Sequence, residues 1–189
     1  METIKKNTII LLTLIICSCS SNDSNNDKET NGNNVLTIND DNYELTNAYI
    51  KRNELGNNAV YSILLSSGAF VDLDSNPVKY TNNFKHGLGL VVKVPLTDNI
   101  LNTITYNFDT DGANTVRYLS TIGFNNNYVI ENNMVQSFNV VFTQDDVIEE
   151  QARVIVTELG NGEYNFSFNA VTALGVINCN YKGSVVIEN

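Results

Sequence analysis

Residues 176–187, VINCNYKGSVVI, place Ile177, Cys179, Tyr181, Val185 and Ile187 on one phase and Asn178, Asn180, Lys182 and Ser184 on the other. A repeat of two belongs to an extended strand, whose successive side chains point to opposite faces. A strand with one dry and one wet face has to lie on a sheet that is buried on one side, as in antiparallel sandwiches and barrels.

The same pattern recurs upstream. ARVIVTEL (152–159), the triplet Gly160-Asn161-Gly162 and EYNFSFNAV (163–171) predict a hairpin with a glycine-supplied turn and with Tyr164, Phe166 and Phe168 on its inner face. Further strands are predicted at 43–51, 59–65, 88–96, 101–108, 115–120, 128–130 and 135–143, most of them closed by Asn, Asp or Gly. Helical periodicity and internal repeats are absent, and the chain has only 2 prolines to interrupt its strands. About ten short strands at this spacing predict an all-β fold, an antiparallel β-sandwich or jelly-roll-like arrangement, with a closed β-barrel as second choice.

The first residues follow a different logic. Lys5 and Lys6 precede the apolar run NTIILLTLIICS, which is shorter than the roughly 20 residues a membrane-spanning helix needs. A positive start, a short apolar stretch and small residues have the layout of a cleaved export signal, expected to cover residues 1–18. Ser18 immediately before Cys19 resembles the lipobox of bacterial lipoproteins, in which a small residue precedes a cysteine whose thiol receives a diacylglycerol. Ile16 before Cys17 does not fit that pattern, so Cys19 is the expected lipidation site. The resemblance implies a membrane partner reached through acyl chains on Cys19. Several chains on one residue hold firmly where one holds marginally, each buried methylene contributing about 0.8 kcal/mol.

Residues 19–34 are rich in Ser, Asn and Asp and nearly devoid of apolar side chains, the composition of a solvated tether. The layout is similar to that of Bacteroidota envelope lipoproteins of uncharacterised function, and so is the C-terminal GEYNFSF…GVINCNYKG pattern. That resemblance implies a β-rich domain at residues 35–189, attached to the outer membrane at the cell surface rather than at its periplasmic face.

Composition narrows the partners. Loss of residues 1–18 removes Lys5, Lys6 and Glu2 from 11 basic and 21 acidic residues, leaving 9 and 20 and a net charge of −11. Counterion-releasing contacts to phosphate need clustered Lys and Arg, which this chain lacks, so nucleic acid is an unsuitable partner. With Cys17 removed and Cys19 acylated, Cys179 is left without a disulfide partner, and the domain must rest on its apolar core. On an apolar strand phase, Cys179 is expected to behave as a small hydrophobe.

Candidate chemistry is sparse. In NFDTDGANTVRY (107–118), Asn107, Asp109, Asp111 and Gly112 occupy the first, third, fifth and sixth places of an EF-hand-like calcium loop, whose alternating oxygens surround a hard cation. Tyr118 stands at the twelfth place where a bidentate Glu is expected, and an Asp-Gly hairpin turn produces the same letters. Calcium is the one cofactor this pattern suggests. Asp145, Asp146, Glu149 and Glu150 in QDDVIEEQ read as a solvated turn that also protects a sheet edge. His86 lacks Cys or His neighbours for zinc and reads as a polar residue at a strand start. Gly87-Leu88-Gly89 lacks the third glycine and the helix of a dinucleotide site, leaving packing or a bulge as the expected reason for its glycines. No G-x-S-x-G, Cys-x-x-Cys or phosphate loop occurs.

These features together lead to the expectation of a lipid-anchored β-sandwich protein that binds glycan or an envelope protein without catalysis. The alternatives are a glycoside hydrolase using two carboxylates remote in sequence and a barrel carrying an apolar ligand.

Overall fold

The structure, a computed structural model, describes residues 34–72, 75–98, 101, 103–109, 117–148 and 151–188. These residues are mostly strand: β1 (Val35–Ile38), β2 (Asp41–Glu44), β3 (Asn47–Leu55), β4 (Asn58–Ser66), β5 (Phe70–Asp72), β6 (Lys79–Tyr80), β7 (Gly87–Pro95), β8 (Ile104–Asn107), β9 (Tyr118–Glu131), β10 (Met134–Thr143), β11 (Arg153–Gly160), β12 (Glu163–Thr172) and β13 (Gly175–Glu188). A 3₁₀ turn covers Gln144–Asp146.

The main sheet runs β10-β9-β7-β4-β3-β13-β12-β11-β8, with β1 beside β13 and β2 beside β1, while β5 and β6 form a separate pair. The fold is all-β and consistent with a sandwich; it does not close into the barrel held as second choice. The pairing departs from the antiparallel expectation where β13 runs parallel to β3, which makes the sheet mixed, and again at an isolated parallel bridge between Phe108 and Leu119. Residues 175–184 of β13 pair with β12, and residues 185–188 then pair with β3. One long strand therefore links the β12 side of the sheet to the β3 side, and both sides turn apolar faces to one core.

The expected alternation is realised where burial is deepest. Tyr164, Phe166 and Phe168 of β12 are buried, as are Ile177, Cys179 and Tyr181 of β13. With Tyr106, Phe124 and Phe142 they fill the interior with aromatic rings, each contributing about 1.5–3 kcal/mol when removed from water. The inward phase assigned to β13 fails at its end. Beyond Ser184 the strand changes partner; Val185 still packs half-buried against the core, but Ile187 is 45% exposed.

The single strand predicted at 43–51 is two, β2 and β3, separated by Leu45 and Thr46. Leu45 is fully buried at this corner, and Thr46 donates its amide to the Ser66 carbonyl at 2.8 Å. The run predicted at 128–130 belongs to the 14-residue β9. The turn Gly160-Asn161-Gly162 forms as read, all three residues having positive φ.

Candidate functional site

On β3, β4, β7 and β9 the core takes one phase of side chains. Ile50, Ile63, Leu90 and Ile122 stand in register across the four strands and are all buried. The opposite phase, on the outer face, contains the row Tyr49, Leu64, Gly89, Gly123 and, beside it, Lys51, Ser62, Val91, Thr121. Gly89 and Gly123 are direct cross-strand partners, so the outer face is lowest there.

The backbone requires a glycine at neither position. Both lie outside the left-handed region, and a Cβ would come no closer than 3.8 Å to a neighbour at Gly89 and 3.7 Å at Gly123. Gly87 is different: a Cβ would lie 3.2 Å from Leu64 Cδ1 and 3.4 Å from the Phe84 ring, so packing accounts for it as the sequence suggested. For Gly89 neither packing nor a bulge is the reason, the nearest register shift on β7 falling between Val91 and Val92. Bare backbone inside a strand marks a place where another group approaches closely.

Above this floor is an open cleft of about 410 Å³, within the range of ligand sites. Its aromatic walls are Tyr49, Phe70 and Tyr128. Phe70 comes from β5, which β6 pairs with; the Tyr80 amide of β6 donates to the Asn133 carbonyl at 2.8 Å and ties this pair to the β9–β10 turn. Beneath them lies the buried Phe84, its ring centroid 5.7 Å from Phe70, 4.9 Å from Tyr80 and 4.9 Å from Tyr128. Gly68 permits this packing, because a Cβ there would fall 2.6 Å from the Phe84 amide nitrogen.

Tyr128 is held from three directions. Its amide donates to the Lys85 carbonyl at 3.1 Å, its hydroxyl accepts from Asn125 Nδ2 at 3.2 Å, and Phe84 packs edge-on against its ring. Burial pushes the phenol up from its ordinary value, with the Asn125 hydrogen bond opposing. Polar groups along the cleft are short or uncharged, namely Ser62, Thr121 and Asn125, apart from Lys51, whose Nζ pairs with Glu188 Oε1 at 3.0 Å. The Tyr49 hydroxyl is buried with no hydrogen-bond partner among the described residues.

Apart from Gly87 and Gly89, the residues singled out from sequence lie elsewhere or outside the described residues. Asn107 ends β8 on its exposed side, whereas Asp109 is buried, its amide donating to the Leu119 carbonyl at 3.0 Å. Asp111, the third residue of the calcium pattern, lies outside the described residues, as do Cys19, Glu149 and Glu150. Among the described residues no group of three or more His, Cys, Asp or Glu gathers as a metal site. Asp146 braces the chain after β10, where its Oδ2 accepts from the Thr143 amide at 2.8 Å and from the Thr143 hydroxyl at 3.2 Å. His86 precedes β7, and its Nε2 donates to the Glu44 carbonyl at 2.6 Å. Cys179 is buried, which pushes its thiol up to about 12.

Comparison with protein-family models, with curated proteins and with solved structures finds no match for this chain. The functional reading therefore rests on the geometry of the cleft.

Proposed function

We propose that this chain is a surface lipoprotein, held in the outer membrane through acyl chains on Cys19, whose β domain binds glycan in the cleft over Gly89 and Gly123. The observation that carries the reading is that pair of glycines, which neither conformation nor packing demands, lying below an aromatic wall. A sugar ring presents apolar C–H faces and a rim of hydroxyls. Aromatic rings suit the faces, and Ser62, Thr121 and Asn125 suit the rim. The low floor admits a flat ring where ordinary side chains would exclude it.

Binding is favoured over hydrolysis because no Asp or Glu is among the described residues lining the cleft, and glycoside hydrolysis ordinarily works with a pair of carboxylates. A carrier of an apolar ligand would need a roomy interior, and the space inside this sheet is occupied by buried aromatic side chains. The test is to probe the full chain, in detergent, against an array of neutral and acidic glycans. Retention on neutral glycans is the expected result; retention on none of them contradicts the reading.

A further inference from the structure

Resting on the glycan reading, we infer that the cleft continues into a second subsite on the β9–β10 ribbon, so that the ligand is an uncharged oligosaccharide lying across Tyr128. A second cavity, of about 450 Å³, is lined by Tyr80, Tyr128, Met134, Gln136 and Phe138 together with Pro77 and its neighbour. Tyr128 lines both cavities and is the element they share.

The ribbon is shaped to present these rings. Between the pairs Val129–Ser137 and Asn126–Asn139 the register shifts, so Asn127 and Tyr128 together face Phe138. This is a bulge, a device that re-aims a side chain, and Asn127 takes φ +54° within it. The result is a stacked pair, Tyr128 on Phe138, with centroids 5.1 Å apart and planes 18° from parallel. Phe138 is 46% exposed and Met134 39% exposed. Two near-parallel rings at the edge of a cleft form a platform for a flat, partly apolar ring, and Gln136 supplies an amide at its border.

Charge selects among glycans. Among the described residues, none of the side chains lining the second cavity is charged, and the only charged one lining the first is Lys51, already paired with Glu188. The whole chain carries −10, so a polyanionic glycan meets repulsion without an unpaired cation in either cavity to offset it. The occupant is therefore a neutral chain.

The test titrates the full chain with cello-, xylo-, malto- and manno-oligosaccharides from monosaccharide to hexasaccharide. The wild type, Phe138→Ala and Phe138→Trp are compared, the last because the chain has no tryptophan and the new indole reports alone. In the series that binds, affinity is expected to rise by about tenfold once the ligand outgrows the first cavity, and Phe138→Ala is expected to remove that rise while leaving the shortest binding ligand unaffected. The indole emission of Phe138→Trp should shift with long ligands and stay fixed with short ones. Affinity independent of length, or a Phe138→Ala variant equal to wild type at every length, overturns the second subsite and leaves the first cleft standing. Absence of binding by every series overturns both. Oxidation of the binding series to uronic acids is expected to weaken it by about tenfold; unchanged affinity overturns the neutral assignment.

Discussion

Gly89 on β7 and Gly123 on β9 face each other across the sheet, and a Cβ on either would meet only ordinary van der Waals contacts. Glycine inside a strand carries an entropic cost of about 0.5–1 kcal/mol relative to alanine. The Gly89→Ala, Gly123→Ala double variant is therefore expected to unfold at a higher denaturant concentration than wild type, with an unchanged slope. A lower midpoint would show that the fold itself needs these glycines.

Gly68 makes the opposite case. A Cβ there would lie 2.6 Å from the Phe84 amide nitrogen and 2.7 Å from its Cα, both backbone atoms with little room to move. Gly68→Ala is expected to destabilise the domain by about 1–3 kcal/mol. Because Phe84 supports Phe70, Tyr80 and Tyr128, ligand affinity should fall as well. Thermal denaturation and titration of one sample check both effects.

His86 gives the domain a pH dependence. Burial lowers its pKa from 6.5, against an opposing hydrogen bond to the Glu44 carbonyl. The unfolded chain then binds more protons than the folded one between the lowered value and 6.5, so stability rises with pH across that window and is lost as pH falls through it. His86→Gln should remove this slope, leaving the carboxylate-driven loss at lower pH. Denaturant midpoints measured from about pH 5 to pH 7.5 decide it; parallel curves for the two proteins would refute the assignment.

The β class was legible because burial on one face imposes a period of two, and β12 and most of β13 obey it residue by residue. Strands of two or three residues, such as β5 and β6, are too short to display a period, so the source of Phe70 and Tyr80 was hidden. The cleft was hidden for another reason. Gly89 and Gly123 are distant in sequence and meet only through the register of β7 with β9, while Tyr128 reaches Phe138 only through a bulge. The sequence signal that existed was glycine within strand-like runs, at GLGL and at IGF, and a packing explanation proved sufficient only for Gly87.

The anchor makes a separate prediction. Metabolic labelling with a fatty acid is expected to mark the wild-type chain and to leave Cys19→Ala unlabelled, with Cys17→Ala labelled as wild type. Equal label in wild type and Cys19→Ala would remove the proposed attachment to the outer membrane without touching the cleft.

The cleft itself is tested most directly by calorimetric titration of wild type and Gly89→Leu with the neutral oligosaccharide that binds wild type most tightly, at matched thermal stability. A leucine at that position projects into the low point of the floor. The expected result is saturable binding by wild type and an affinity reduced by at least about tenfold in the variant. Equal affinities in two equally folded proteins would contradict the assignment of this site.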